Sequence, residues 1–382
     1  MLRRLATISV ALGLALAAAT RVETARRPRY GGTLRVEIGA TVSSLDAAAA
    51  AVNSDEAAAK EQLDALIYDH RDAGKTFSGS GPFRISVWEP GKSVTLAAND
   101  EYRGGRPFVD SIEIQMGRSA RDRLLDLELN KTDFAEIPAE QARHAGEHGV
   151  RISASEPDEL LALVFEAGHP AAEDARVREA MALAIDRAAI VNFILQKTGE
   201  PAGGLLPQWL SGTAFLFSTS ANVARAKELS SQIAPSPRLA LGYDSGDPLE
   251  HSVAERIIVN AREAGIILTP DARRRSAPPI PDALLIRWRV ESQHPRDSLR
   301  GLLEALRAIG IDAGEACEAP PDSATPEQIY NCERGIVNSY RVVPLVRLPQ
   351  VYGLSARVRD WKVPAAGEGW PLADVWLDGE AP

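Results

Sequence analysis

The segment from Arg238 to Gly310 alternates between strand-like and helix-like sequence, and no other feature constrains the fold as strongly. The runs "RLALGY", "IILTP" and "DALLIRW" are short, apolar and typical of buried strands. Asp247 and Pro248 open a helical pattern that ends at Gly265, and a leucine-rich helical pattern then ends at Gly310. Strands separated by helices of about a dozen residues predict layers of sheet and helix, so we expect an α/β protein.

Residues 79–115 have a different pattern, that of consecutive strands joined by tight turns. The first two strands, "PFRISVWE" and "KSVTLAAN", alternate between polar and apolar residues, and the turn Pro90-Gly91 between them predicts a hairpin. Further on, "DARVREAMALAIDRAAIVNFILQKTG" has apolar residues at helical spacing, which predicts one long helix between Asp174 and Gly199. We therefore expect mixed sheets flanked by helices.

The amino terminus has the pattern of a secretory signal peptide, because "MLRR" is positive, "LATISVALGLALAAA" is apolar and small residues end the run. The apolar run is shorter than the ~20 residues of a membrane span, although an uncleaved anchor is an alternative interpretation. We expect residues 1–25 to be the signal peptide and a basic linker, with no cysteine for lipid attachment. The mature protein would then be soluble, monomeric and periplasmic. The net charge of -9 argues against nucleic-acid binding, which needs a basic surface.

The two cysteines, Cys317 and Cys332, lie 15 residues apart near the carboxyl terminus. Export would permit a disulfide between them, and a loop of that length would contribute about 3 kcal/mol to stability. The alternative is that Cys332 is simply buried, since it also falls on the apolar stripe of a helix opened by a Thr325–Gln328 capping box. The only support for the predicted disulfide is therefore the oxidising compartment to which the protein would be exported.

Catalytic and metal-binding motifs receive little support from the sequence. His144 and His148, in "HAGEH", stand at i and i+4, but Ala145 occupies the position where a zincin has its glutamate. Surface histidines are the default interpretation, and a metal-dependent hydrolase is an alternative that rests on this pair alone. We expect no enzymatic activity, no metal and no cofactor.

A binding site for a small solute needs a concave surface with a few placed polar groups. The candidates are Trp209 in "LLPQWLSG", and Trp288 and Arg289 in "IRWRVESQHP", which lie in a loop or at a strand end. For each of them, packing in the core or at its rim is the alternative interpretation.

Four motifs follow one another in an order that resembles the family 5 extracellular solute-binding proteins, the peptide- and nickel-type receptors of ABC importers. They are "YGGTLRVEI…SSLD", "GSGPFRISVWEPGKSVTLAANDEYRGGRPFVDSIEI", "DARVREAMALAIDRAAIV" and "VVPLVRLPQVYGLSARVRDW". The resemblance implies a two-lobed, class II-like periplasmic-binding-protein fold. Lobe I would comprise residues 30–170 and 341–382, and lobe II would comprise residues 171–340.

The resemblance has one departure, in residues 46–78. Family members carry a much longer block there, a small domain inserted into lobe I, so we expect that domain to be largely missing from this chain.

The resemblance also implies a function, that of a receptor which captures peptides or similar small solutes by lobe closure and docks to permease subunits in the membrane. Loss of the inserted domain would remove part of the cleft wall and expose edge strands. The alternative is therefore a truncated paralogue that acts as a non-transport binding or interaction module.

Overall fold

The computed structural model describes residues 27–44, 54–68, 80–166, 168–273, 281–311, 313, 317 and 321–379. Within these ranges the chain forms two large mixed sheets, each covered by helices, and a two-stranded ribbon. The predicted signal peptide lies outside the described residues. None of the described helices is both long enough and apolar enough to cross a membrane.

The first sheet has seven strands. They are β1 (Thr33–Glu37), β2 (Phe83–Glu89), β3 (Ser93–Ala98), β4 (Ser111–Gln115), β5 (Phe134–Ile137), β6 (Arg151–Ala154) and β13 (Val351–Leu354), in the order β2-β3-β4-β1-β5-β13-β6. β1 runs parallel to β4 and β5. β3 is antiparallel to β2 and β4, and β13 is antiparallel to β5 and β6. The predicted hairpin around Pro90-Gly91 is present between β2 and β3.

The second sheet has six strands. They are β7 (Glu159–Phe165), β8 (Glu200–Pro201), β9 (Arg238–Asp244), β10 (Ile267–Arg273), β11 (Ala283–Arg289) and β12 (Val342–Leu348), in the order β10-β9-β11-β7-β12-β8. β9, β10 and β11 are parallel, as the alternating sequence predicts, and β7 pairs antiparallel with β11 and β12. The ribbon consists of β14 (Val358–Arg359) and β15 (Trp376–Leu377).

Eleven α-helical segments lie in the described residues. They are α1 (Ser54–Ile67), α2 (Ala120–Glu128), α3 (Ala142–Glu147), α4 (Pro170–Glu173), α5 (Ala175–Ala184), α6 (Arg187–Ala189), α7 (Gln208–Ser211), α8 (Val223–Ser231), α9 (Pro248–Glu263), α10 (Pro295–Ala308) and α11 (Pro326–Asn338). Side-chain caps start several of them: the Asp247 carboxylate accepts two backbone N–H groups at the start of α9, and Thr325 and Gln328 form the predicted capping box of α11.

Apolar helix faces pack the two sheets. α10 buries Leu299, Leu302 and Leu306 against one face of the second sheet, and α1 buries Leu63 and Leu66 against the first sheet. Each fully buried leucine contributes roughly 1.5–3 kcal/mol relative to an exposed one, so these faces fix the helix positions.

Two short connections join the sheets, residues 155–158 between β6 and β7 and residues 349–350 between β12 and β13. They lie side by side. The Ser155 N–H donates to the Gln350 carbonyl at 2.9 Å, the Gln350 N–H donates to Ser155 Oγ at 2.9 Å, and the Asp158 N–H donates to the Leu348 carbonyl at 3.1 Å. The sheets and their helices therefore form two lobes that are joined by one paired crossover.

Sheet membership corrects the predicted lobe boundaries. β7 and β12, which the sequence analysis assigned to lobe I, are neighbouring strands of the second sheet. We therefore draw the boundaries at the crossovers, near residues 155–158 and 349–350, in place of residues 170 and 341. The resemblance places the start of lobe II at the helix after Asp174, but β7 is apolar from Leu160 to Phe165 and already lies between β11 and β12.

The predicted long helix is broken. α5 ends at Ala184, Asp186 then caps α6 by accepting the Ala189 N–H at 2.9 Å, and a π-helical turn follows from Ile190 to Ile194. The Arg187 guanidinium donates to the Ala182 carbonyl at 3.1 Å, one of the last carbonyls of α5. The Arg187 side chain therefore supplies a donor to a carbonyl at the broken end of α5. The spacing of apolar residues in the sequence does not reveal this contact.

Cys317 and Cys332 form a disulfide in the structure, with their Cα atoms 5.0 Å apart. The bond ties the chain that follows α10 to α11. Cys332 also lies in the apolar core beneath that helix, so the two interpretations of this residue are compatible.

Candidate functional site

Charged and polar residues of both lobes meet beside the crossover, where the carboxyl ends of β5 and β11 approach one another. In open α/β sheets, ligands bind outside the carboxyl ends of strands. We call this set the interlobe cluster, and its members are Glu136, Glu140, Asp158, Glu159, Asp247, Arg287, Arg289, Gln350 and Tyr352.

Arg287 is the most strongly paired member of the cluster. Its guanidinium makes a bidentate ion pair with Glu159, at 2.6 and 3.1 Å, and a third contact with Asp247 Oδ2 at 2.7 Å. The field of Glu159 raises the pKa of Arg287 further above its ordinary value, despite the opposing cost of burial. Arg287 thus joins the start of β7 to the amino terminus of α9 and stays charged.

Glu140 lies in a 3₁₀ turn of lobe I, Ala139–Gln141, and extends the cluster across the lobe boundary. Burial and the nearby Asp247 carboxylate raise the pKa of Glu140, while Arg287 lowers it. The charge balance at this point therefore depends on groups from both lobes.

Asp158 lies in the crossover and is almost inaccessible to solvent. Its Oδ2 accepts a 2.6 Å hydrogen bond from the Gln350 amide, and Gln350 Oε1 in turn accepts one from the Tyr352 hydroxyl at 2.8 Å. Asp158 Oδ1 is buried and has no hydrogen-bond partner within the described ranges. Burial raises the pKa of Asp158 to about 6, although Gln350 and Arg289 lower it.

Arg289 ends β11 next to Asp158. Its Nε atom is buried and donates no hydrogen bond to any residue that the structure describes. Burial lowers the pKa of Arg289, but the surrounding Glu159, Glu136 and Asp158 carboxyl groups outweigh that cost, so the pKa is raised.

Asp158 and Arg289 therefore give the cluster an open acceptor and an open donor. A buried polar atom without a partner costs roughly 1–3 kcal/mol, and a ligand that pairs with it recovers that energy. A solute with an ammonium group and a carboxylate would complement both atoms, because charge-assisted hydrogen bonds are the strongest available.

The three predicted site residues lie in different parts of the structure. Trp209, on α7, is 39% exposed and its Nε1 donates to the Pro157 carbonyl at 3.1 Å, so it contacts the crossover that also holds Asp158. Arg289 belongs to the interlobe cluster. Trp288 points to the opposite face of β11 and packs in the apolar core under α10. Alternation along one strand explains why adjacent residues separate.

Most of the cluster was missed by the sequence analysis. Asp158 and Gln350 occur in "EPDEL" and "RLPQVYG", two short polar interruptions between apolar strand sequences. Such interruptions are weak signals by themselves, because any loop can have them. Their pairing across 192 residues of sequence is visible only in the fold.

A cavity of about 220 Å³ lies elsewhere, within lobe II, and its lining includes Arg187, Phe217, Tyr330 and Arg334. Pockets for drug-sized ligands usually measure about 300–1,000 Å³. Arg187 is already paired with four backbone carbonyls. We therefore place the candidate site at the interlobe cluster.

Comparison with known proteins places these observations in a family. The profile described as "Bacterial extracellular solute-binding proteins, family 5 Middle" matches residues 34–288. The oligopeptide-binding protein AppA of Bacillus subtilis is 29% identical over 125 residues, which are 32% of this chain and 23% of AppA. The nickel-binding protein NikA of Staphylococcus aureus is 26% identical over 141 residues, which are 36% of this chain and 28% of NikA. The sequence match thus spans about a quarter of the length of these curated relatives.

The fold has matches among solved structures. The structure of DppA from Helicobacter pylori, in complex with the peptide STSA, superposes with a TM-score of 0.71 at 14% identity, covering 92% of this chain and 99% of that chain. The likeness confirms the predicted two-lobed periplasmic-binding-protein architecture, with two mixed sheets flanked by helices.

Proposed function

This chain belongs to the bacterial extracellular solute-binding proteins of family 5, and from that membership we propose that it is a periplasmic receptor of an ABC importer for peptides or similar small solutes. Relatives named for oligopeptides and for nickel support a solute receptor in general. The choice of a peptide-like solute comes from the chemistry of the interlobe cluster.

The observation that carries the proposal is the pair of open polar atoms at the crossover. Asp158 Oδ1 accepts no hydrogen bond and Arg289 Nε donates none among the described residues. In our proposal Asp158 receives the ammonium group of the solute and Arg289 receives its carboxylate. Trp209, partly exposed at the same crossover, would cover the apolar part of the solute.

Ligand capture would proceed by lobe closure. The crossovers of residues 155–158 and 349–350 are short and hydrogen-bonded to each other, so they would act as a hinge about which the lobes rotate. The solute would contact groups of both lobes in the closed form only, and that difference in affinity would shift the population toward closure.

In our proposal the protein is exported to the periplasm and docks to permease subunits in the membrane. The amino-terminal signal pattern supports secretion to the periplasm, and the family supports permease subunits as the partner. Mass spectrometry of the protein secreted by a Gram-negative host should show loss of about twenty amino-terminal residues.

A ligand screen tests the receptor function. We expect di- to oligopeptides to raise the Tm of the purified protein, with isothermal titration giving 1:1 binding, and nickel chelates to be included as the competing class. Arg289→Met should strongly reduce the shift, whereas Arg262→Met, a change of an exposed arginine on α9, should leave it unchanged. Folded protein that no peptide and no chelate stabilises would contradict the proposal.

A second function, a non-transport interaction module, is favoured by one observation. Among the described residues, β2 is an edge strand of the first sheet and exposes Ile85 (43%) and Val87 (52%), so it offers one backbone edge and apolar side chains to a partner strand. Pull-down with candidate ABC permease subunits separates the two functions. Capture that Ile85→Lys abolishes, without any solute binding, would favour the module.

A further inference from the structure

Three metal-ligating side chains converge on lobe I, and none of them is a member of the interlobe cluster. Glu128 is the last residue of α2, His144 lies in α3, and His148 caps the end of α3. One ligand atom from each of the three side chains lies within 4.8 Å of the others, and the two imidazole centroids are 4.1 Å apart.

The backbone around this group is well supported. α2 and α3 pack on the same sheet, next to β13, where the lack of a side chain at Gly353 admits both Leu127 and Val150. These two residues are close in sequence to Glu128 and His148. The close approach to Gly353 therefore holds the helix ends that present the three ligands.

The hydrogen bonds of the group leave its ligand atoms available. His148 Nδ1 lies 2.9 Å from the His144 carbonyl, which can only accept, so Nδ1 carries the proton and the neutral ring presents the Nε2 lone pair. A hydrogen bond from the other ring nitrogen to a carbonyl is the usual way in which proteins orient a metal-binding histidine.

Glu128 supplies the third ligand from a less exposed position. Its Oε1 is buried and has no hydrogen-bond partner in the part of the chain that the structure describes. The other nearby carboxylate, Glu147, accepts a hydrogen bond from Arg143 Nε at 2.9 Å. Because Glu147 already has this partner, we do not include it among the ligands.

We propose that Glu128, His144 and His148 bind one divalent transition-metal ion, with Zn²⁺ as the reference ion. Two imidazoles and a carboxylate are typical ligands of Zn²⁺, Ni²⁺ and Cu²⁺. Ligand atoms around a tetrahedral zinc are about 3.3 Å apart, so the two exposed imidazoles need only small rotations to close the site. The three protein ligands leave a position open for water or an exogenous ligand. The site uses no residue of the interlobe cluster.

Metal titration of the full mature chain tests the proposal. The protein is prepared without a histidine tag and stripped with a chelator, and ZnCl₂ is titrated by calorimetry. We expect one ion per chain, with affinity that falls about 10- to 100-fold in His144→Ala and in His148→Ala, and about 10-fold in Glu128→Gln.

His251→Ala is the matched control, because His251 also lies on an exposed helix face and pairs at i,i+4 with a carboxylate, Glu255. This variant should bind zinc like the wild type. Circular dichroism of each variant without metal shows whether the fold is kept, and Cu²⁺ electron paramagnetic resonance reports nitrogen ligation directly. Zinc affinity that is unchanged in His144→Ala/His148→Ala, or a Cu²⁺ spectrum without nitrogen ligands, would overturn the proposal.

Discussion

Arg187 in lobe II and Arg289 in the interlobe cluster are both withdrawn from water, but their surroundings differ. The Arg187 guanidinium donates to the carbonyls of Ala182, Ile185, Ala202 and Pro344, and burial lowers its pKa to about 10. Arg289 has carboxyl groups around it and a buried Nε with no hydrogen-bond partner within the described residues. Arg187 therefore holds backbone segments in place, whereas Arg289 keeps a donor available for a solute.

Replacement of Arg187 should have the largest effect on stability. Arg187→Met leaves the carbonyls at the end of α5 and on β12 without their donor, which we expect to lower the free energy of unfolding by about 3–5 kcal/mol. Urea denaturation followed by circular dichroism measures it. Arg225→Met, at an exposed ion pair on α8, is the control and should leave the urea midpoint almost unchanged, because solvent screens such a pair. If Arg187→Met lowers stability as little as Arg225→Met does, Arg187 does not have the structural role assigned to it.

Replacement of Arg289 should instead act on solute affinity. We expect Arg289→Met to weaken binding of the best peptide from the screen by about 100-fold, because a charge-assisted hydrogen bond is lost. The variant should lose less stability than Arg187→Met, because Glu159 keeps Arg287 and Asp158 keeps Gln350 as partners. Calorimetric titration gives the affinity. Equal loss of stability in the two arginine variants would show that the contrast between them is wrong.

Asp158 should make stability depend on pH. Its folded-state pKa of about 6 lies above the ordinary value of 3.8, so the folded protein retains a proton that the unfolded chain releases. The free energy of unfolding should therefore fall by up to about 2 kcal/mol as the pH rises from about 4 to about 6.

Asp158→Asn tests this linkage and also the ligand role. The pH-dependent fall should shrink in the variant, leaving the part that the raised pKa values of Glu37, Glu140 and Glu333 contribute with the same sign. Urea denaturation at several pH values measures it. In the wild type, peptide affinity should rise above pH 6, where Asp158 is ionised. A peptide affinity that is flat across pH 5–7 would contradict the assignment of the ammonium group to Asp158.

The smallest effect is expected at Trp209, where the crossover meets α7. Trp209→Phe removes the indole donor to the Pro157 carbonyl, which should cost about 0.5–1.5 kcal/mol in stability because this site is partly solvated. Peptide binding should weaken only a few-fold. Intrinsic fluorescence of the other tryptophans follows unfolding, and a loss as large as that of Arg187→Met would make Trp209 a core residue.

The elements of the fold follow closely from the sequence. The apolar runs of β9, β10 and β11, the Asp247 cap of α9 and the capping box of α11 all lie where local pattern predicts them. These features depend on contacts within a few residues, so the sequence determines them directly. The break after α5 does not, since it depends on Arg187 reaching carbonyls of β12 and of the segment after β8.

The sequence by itself also determined the family and the two-lobed architecture, through the order of its motifs. The membership of β7 and β12 in the second sheet was decided only by tertiary structure, as was the separation of Trp288 from Arg289. So was the union of Asp158 with Gln350, 192 residues apart. The physical reason is that burial and pairing of a charged side chain are properties of what the fold brings beside it, and no local pattern encodes that neighbour.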